Sequence, residues 1–359
     1  MNFNVDIIKP NKWVKIWLWV GVGMLLVQFM LGAITRLTGS GLSITKWEIA
    51  VGSIPPINSI QWNEAFDLYK QTPQYHKINQ GMSLGEFKFI YLWEFSHRLW
   101  ARTLGFVFII PFFIFLFKRK LSKPLIKDLI IIVLLGGLVG IFGWIMVASG
   151  LVNRPWVNAY KLTLHLNLAF LVYGYLLWTA LKYSFPERIV VNNTGIKMLL
   201  NVMFVCLMLQ LIFGGIMSGM KAGLFFPTWP SYSGDIVPAI LLDGSSWKLD
   251  HLRDYDSYLF SPALIQFIHR NLAYLILGIG IVVYLKLKKT ITEIVKYPSL
   301  FFLGILIIQV TLGILTLLNS KGQVPVLLGV LHQSGAILLL TAVLLLHFRV
   351  RYSKSLINI

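Results

Sequence analysis

The sequence predicts an all-α integral membrane protein, with eight transmembrane helices forming two tandem four-helix bundles related by a pseudo-two-fold axis along the membrane normal. Three observations lead there. The composition is 57% hydrophobic and only 13% charged. The chain contains runs of 19 or more mostly apolar residues, each long enough at 1.5 Å per residue to cross a hydrocarbon core of roughly 30 Å. The second half of the chain also repeats the first.

The first span, Trp13 to Ile34, is far longer than the apolar core of a signal peptide, and no small-residue cleavage site follows it, so it stays in the protein as a helix. A long connection, residues 35–88, leads to the second span, Phe89 to Phe117. Leu125 to Ser149 and Val157 to Leu181 complete the first half, residues 1–190. The second half, residues 191–359, holds Ile196 to Gly219, Leu259 to Leu285, Leu300 to Leu318 and Val324 to Phe348.

The net charge of +18 invites a nucleic-acid reading until the charges are sorted by connection. The N-terminus, the even-numbered connections and the C-terminus, each counted with the adjoining first or last turns of its spans, hold 18 Lys or Arg against four acids, Asp6, Asp128, Glu187 and Glu293. The odd-numbered connections, counted the same way and so including Lys161, hold 11 Lys or Arg and nine acids. This is the positive-inside signature, which puts both termini in the cytoplasm of a multi-pass protein of the inner (plasma) membrane. No basic segment outside the spans is patterned with aromatics, so nucleic acid is not an expected partner. Cys206 is the only cysteine, which excludes an intrachain disulfide and a cysteine metal cluster.

The duplication is explicit. At an offset of 182, Gln28, Gly32, Ile34, Gly41, Leu42, Trp47, Gly52, Ile54 and Pro56 recur as Gln210, Gly214, Ile216, Gly223, Leu224, Trp229, Gly234, Ile236 and Pro238. At an offset of 172, Phe95, His97, Arg98 and Ala101 recur as Phe267, His269, Arg270 and Ala273. The offset is 170 for Gly143 and Gly313, and 167 for His165 and His332. Four spans per copy is an even number, so the copies run parallel.

His97, His165, His269 and His332 each sit about eight residues into a separate span, all counted from the outer side. That depth is roughly 12 Å at 1.5 Å per residue. Neutral imidazoles are good iron ligands, and two that face one another can hold a planar macrocycle. The pairs read as axial ligands of two haem irons, His97 with His165 and His269 with His332. The plainer reading is that each is a hydrogen-bonded polar residue of a helix interface; intramembrane ionisable groups are costly enough to favour function. Gly136, Gly137, Gly140 and Gly143, with Gly304 and Gly313, let a flat ring approach, or simply let helices pack closely. His76, His251 and His347 read as ordinary loop or interfacial residues.

The copies differ at one chemical position. Glu94 lies three residues before His97, on the same helix face, and its counterpart is Gln266. A carboxylate beside a haem edge can accept or deliver protons where an amide cannot, which suggests one working and one supporting site. Alternatively Glu94 only neutralises Arg98 or Arg102.

These motifs resemble the haem A synthase family. The likeness is carried by Gly32-Ala-Ile-Thr-Arg-Leu-Thr-Gly-Ser-Gly-Leu-Ser43 with Trp47, Pro55-Pro56, Tyr69-Lys70, Glu86-Phe-Lys-Phe-Ile90 and Glu94-Phe-Ser-His97-Arg98. It continues through Gly143-Trp-Ile-Met-Val-Ala-Ser-Gly150, Tyr160-Lys-Leu-Thr-Leu-His165-Leu, His269-Arg270 and His332-Gln333, over nearly the whole chain. The cysteine-free first outer loop is similar to the mitochondrial and proteobacterial branch, so a redox role for a loop cysteine pair does not transfer. Val139 stands where many relatives carry glutamine. The resemblance implies oxidation of the C8 methyl of haem O to a formyl group through hydroxylated intermediates, giving haem A for terminal oxidases. It implies that His97 and His165 flank the substrate, with Glu94 in the catalytic site, and that His269 and His332 ligate a resident haem b. Arg98, Arg102, Arg270 and Arg36 then suit the porphyrin propionates, or anchor helix ends at the headgroups. Expected partners are haem O, membrane lipid and an electron donor, with a haem O synthase and a homo-oligomer as further candidates.

Two rivals remain at this level. A diheme membrane cytochrome b that only passes electrons from quinol also uses histidine pairs, but gives no reason for Glu94 opposite Gln266 or for the long first loop. A transporter with parallel repeats calls for a polar pathway of charged residues within the spans reaching the cytoplasmic side, and none is present there beyond the end turns.

Overall fold

The computed structural model describes residues 11–46, 54–152, 154–185, 193–289 and 293–350. Trp47 of the first motif, the boundary at 190/191, and Asp6, Lys9, Glu187, Arg188, Arg351 and Lys354 of the charge pattern lie outside the described residues. Within them the fold is helical, with one isolated antiparallel bridge, Tyr232 to Asp235. Eight helices are long and apolar enough to cross a membrane.

The first is α1, Lys12–Leu37, whose N-cap Asn11 accepts hydrogen bonds from the backbone N–H groups of Trp13 and Val14, satisfying donors that a helix start leaves orphaned. The first connection folds into two short helices, α2 (Ser59–Lys70) and α3 (Pro73–Lys77). Phe66 and Tyr69 of α2 pack on Phe87 and Ile90, so this connection is a packed unit with its own apolar cluster. That packing extends the next helix: α4 runs Leu84–Phe117, starting five residues before the expected Phe89. Ser83 and Glu86 form a reciprocal capping box at its start.

The third and fourth spans are α5 (Lys123–Ala148) and α6 (Ala159–Ser184). The second half supplies α7 (Thr194–Gly219), the short α8 (Ala239–Leu242) and α9 (Leu249–Arg253), and then α10 (Phe260–Lys289). The chain ends with α11 (Glu293–Leu318) and α12 (Val326–Val350). Helix α11 begins seven residues ahead of the expected Leu300 and carries Pro298 inside it, one turn beyond the first positions where proline is free of cost, so the Ile294 carbonyl loses its helical donor.

Neighbour relations explain which faces are apolar all round. Helix α1 packs on α4 and α6, and α5 on α6; correspondingly α7 packs on α10 and α12, and α11 on α12. The halves meet through α6 against α7 and α12, and through α1 against α12. Buried Leu176, Leu177, Leu200, Leu207, Leu340 and Val343 lie in the core that joins them.

Candidate functional site: two histidine pairs

Each of the four histidines is seated against a glycine of a neighbouring helix. A Cβ built on Gly32 of α1 would stand 3.1 Å from His97 Nε2, and one on Gly143 of α5 3.0 Å from His165 Cε1. In the second half a Cβ on Gly214 of α7 would stand 3.1 Å from His269 Cε1, and one on Gly313 of α11 2.9 Å from His332 Cε1. Any other residue would push the imidazole away, so glycine here permits close approach of ring to backbone. Gly143 and Gly313 were among the glycines expected to admit a flat ring; Gly136, Gly137, Gly140 and Gly304 instead face open space. Gly32 and Gly214 lie outside that expected set. Their signal was present in the repeat, one turn beyond Gln28 and Gln210.

Those glutamines have matching work. Gln28 Nε2 donates to the His97 carbonyl at 3.3 Å, and Gln210 Nε2 donates to the His269 carbonyl at 3.1 Å. Both tie the first helix of a half to the histidine-bearing helix beside it. His165 Nδ1 lies 2.9 Å from the Val139 carbonyl. A carbonyl can only accept, so Nδ1 carries the proton and Nε2 keeps its lone pair, the tautomer a metal-ligating histidine adopts. Val139 thus acts through its backbone. His97 lies within electrostatic reach of His165.

In the second half His269 and His332 line one cavity, together with Gln210, Gln333, Arg36 and Lys221. The Nδ1 atoms of both histidines, and Oε1 of Gln210 and Gln309, are buried without a hydrogen-bond partner among the described residues. Buried imidazole nitrogens left unpaired cost free energy unless a further group engages them. Paired imidazoles, glycine seats and unsatisfied ring nitrogens fit an axially ligated haem. No three His, Cys, Asp or Glu side chains converge as a metal cluster among the described residues.

Glu94 is buried, 2% exposed. Its Oε2 accepts from Ser43 Oγ at 2.7 Å and from the Ile44 backbone N–H at 2.8 Å, and its Oε1 accepts from Arg98 Nη2 at 2.5 Å. Arg98 also donates to the Ile44 carbonyl at 3.2 Å. The expected pairing with Arg98 is therefore present, inside a larger network that fixes the carboxylate against the loop after α1. Gln266 instead donates through Nε2 to the Phe226 carbonyl at 2.9 Å, and its Oε1 is buried without a partner among the described residues. Arg270 donates to the same carbonyl at 2.8 Å and to the Ser231 carbonyl at 3.3 Å, and lies 4.2 Å from the centre of the Tyr232 ring. Burial pushes the Tyr232 hydroxyl up to about 12, so Arg270 covers a neutral ring. Arg102 lies one turn beyond Arg98 on α4.

The three remaining histidines separate. His76 is exposed, and His251 Nδ1 lies 2.7 Å from the Ser246 carbonyl in the outer connection. His347 is not interfacial as expected: it is 5% exposed, with Nε2 2.9 Å from the Leu200 carbonyl. A backbone carbonyl of α7 satisfies a polar group that sequence position alone placed at the helix end.

A family model described as cytochrome oxidase assembly protein, COX15-CtaA, matches residues 15–344. The heme A synthase of Nitrosospira multiformis is 39% identical over 345 residues, covering 95% of this chain and 94% of its own length. That of Flavobacterium psychrophilum is 39% identical over 352 residues, covering 96% of this chain and all of its own. The heme A synthase of Bradyrhizobium diazoefficiens is 36% identical over 334 residues, 93% of this chain and 90% of its own.

Proposed function

Because the chain belongs to the COX15-CtaA family of cytochrome oxidase assembly proteins, we infer that it is a haem A synthase, oxidising the C8 methyl of haem O to the formyl group of haem A. The observation that carries this reading is near-full-length similarity to proteins of that name. Methyl becomes alcohol and then geminal diol, each step removing two electrons from that carbon and adding one oxygen atom, so an external oxidant and oxygen source are consumed twice; loss of water then leaves the aldehyde without further redox change.

The roles divide between the halves. His97 and His165 hold the substrate porphyrin, and the Gly32 and Gly143 seats fix the planes of their rings. Val139 holds His165 in the tautomer that offers Nε2. Glu94 stands one helical turn from His97 and takes or delivers the proton at the reacting edge. Ser43, the Ile44 N–H and Arg98 hold its two oxygens in fixed directions, so little reorganisation is needed when charge develops. His269 and His332 would hold a haem b, which would supply one-electron transfer. Gln210 steadies the His269 backbone, and Gln266 and Arg270 clasp the Phe226 carbonyl, which closes the loop over this second pair. The excess of basic residues in the N-terminus, even-numbered connections and C-terminus supports an orientation with both pairs toward the outer face of the inner membrane.

The alternative, a carrier that leaves both haems unchanged, does not account for the difference between Glu94 and Gln266. Extracted haem separates the two. Protein purified from cells that make haem O is expected to carry haem b together with haem O, a hydroxylated intermediate or haem A. A single stable haem type at both sites, with haem O supplied, overturns the enzyme reading.

A further inference from the structure

Arg36 belongs to the first half, near the outer end of α1, yet it lines the cavity of the second histidine pair. Its counterpart at the offset of 182 is Ser218, on the same wall, with a buried hydroxyl that lacks a partner among the described residues. The Arg36 guanidinium makes no hydrogen bond or ion pair among the described residues. Lys221, two residues beyond α7, lines the same cavity and has a left-handed backbone, with φ 51°. Its ammonium lies 4.3 Å from the centre of the Trp156 ring.

The electrostatics of this rim are unbalanced. Burial holds the Lys221 ammonium below the usual lysine value; Asp256 opposes that depression and Arg36 adds to it. Asp256 is itself engaged, 3.0 Å from Arg154 and accepting from Trp156 Nε1 at 3.3 Å. Two cations in each other's field beside an apolar cavity, with the one carboxylate that acts on Lys221 already engaged by Arg154, repel one another at a cost that low dielectric magnifies. An anion between them removes that cost. Other basic groups near the second pair are already directed elsewhere, since Arg270 holds two loop carbonyls.

We propose that Arg36 and Lys221 form a carboxylate site, contributed partly by the first half, that holds the propionates of the haem carried by His269 and His332. This rests on the reading of those histidines as haem ligands. A porphyrin of that kind brings two carboxylates, matching the two cations. The planar guanidinium suits a bidentate grip and the ammonium a single charge-assisted contact. Of the four arginines that the sequence offers for the propionates, Arg98, Arg102, Arg270 and Arg36, the first and third hold Glu94 and the loops, and Arg36 is the one of the four besides Arg270 that lines this cavity. The consequence is that the haem b half is completed by α1 of the other half.

The experiment uses full-length protein stripped of haem and titrated with protohaem IX or its dimethyl ester, which lacks the carboxylates. Arg36→Gln and Lys221→Gln are each expected to weaken protohaem binding by about tenfold or more, the usual effect of losing a charge-assisted hydrogen bond. Arg36→Lys, which keeps the charge, should lose less. The ester should bind wild type and the double variant alike, and the reduction potential of bound protohaem should fall in the double variant, because nearby cations favour the reduced form. Unchanged protohaem affinity in the double variant overturns the proposal, as does an equal loss of acid and ester. His332→Ala runs beside them: full haem b in that variant sinks the ligand reading itself, whereas its loss, with the double variant unaffected, sinks only the carboxylate site.

Discussion

Glu94 and Gln266 hold one position in two copies of the same motif, and they are wired in opposite senses. The carboxylate accepts, drawing in a hydroxyl, a backbone N–H and a guanidinium. The amide donates, reaching the carbonyl of Phe226, which is the repeat counterpart of Ile44. Both copies keep the arginine four residues on, and in both it grips that same carbonyl. The shared arginine holds the loop carbonyl in each copy; the variable residue sets whether a carboxylate or an amide stands beside it. The repeat has thus kept its clamp and changed the group next to it, the difference on which the proposed division of roles rests.

Helix packing diverges too. In the second half α10 and α11 pack along each other, and Leu306, fully buried, presses on Gly280. In the first half α4 and α5 barely touch. The counterpart of Leu306 is Gly136, with open space around it, and the counterpart of Gly280 is Phe108, which turns to Trp17 with ring centres 4.9 Å apart.

The sharpest way to break the comparison is to remove the histidines one pair at a time. His269→Ala and His332→Ala are each expected to abolish bound haem b and, with it, haem A formation. His97→Ala and His165→Ala are expected to keep haem b and still make no haem A. The measurement is haem b per protein and haem A per haem b after purification. Loss of haem b from the first-pair variants, with the second-pair variants loaded, would reverse the assignment of the halves.

Much of this contrast was legible in the chain. The eight spans follow from apolar length, and the histidine pairs, Glu94 and Gln266 from the repeat offsets. Helix starts were not, because Ser83 with Glu86 and the Phe66 to Phe87 cluster extend α4 beyond its hydrophobic run. The glycine seats were half legible: Gly143 and Gly313 lie among other small residues, whereas Gly32 and Gly214 gain meaning only when a ring on the next helix is in view. Arg36 was misleading in one dimension. Sequence places it in the first half, and only the packing of α1 against α12 brings it to the second cavity.

A reciprocal exchange at the variable position sharpens the chemical half of the comparison. Glu94→Gln should retain haem b and lose haem A formation by about 10² to 10⁴, the usual contribution of a general acid or base. It also leaves Arg98 without its carboxylate in a buried setting, so the melting temperature should fall. Gln266→Glu introduces an acceptor where Phe226 offers only its carbonyl, and should lower haem b occupancy without creating a second site of oxidation. Near-normal haem A from Glu94→Gln, at any melting temperature, would return Glu94 to a purely structural role.

The smallest expected effects concern the seats of the rings. Replacing glycine by alanine inside a helix normally stabilises by about 0.8 to 1 kcal/mol, and Gly23, on α1 with nothing near its Cβ position, should show that gain. At Gly313 the new methyl would stand 2.9 Å from His332 Cε1, and at Gly32 3.1 Å from His97 Nε2. Overpacking of this kind costs about 1 to 3 kcal/mol, so the propensity gain is cancelled or reversed, and the ring must tilt. A tilted ligand changes the absorption and potential of its haem before it releases it. Gly313→Ala should therefore shift the haem b spectrum while leaving most of it bound. Gly32→Ala should leave that spectrum unchanged and slow haem A formation. The two variants address opposite halves through the same methyl group. If Gly32→Ala moved the haem b spectrum as far as Gly313→Ala does, the resident haem would not be confined to the second pair.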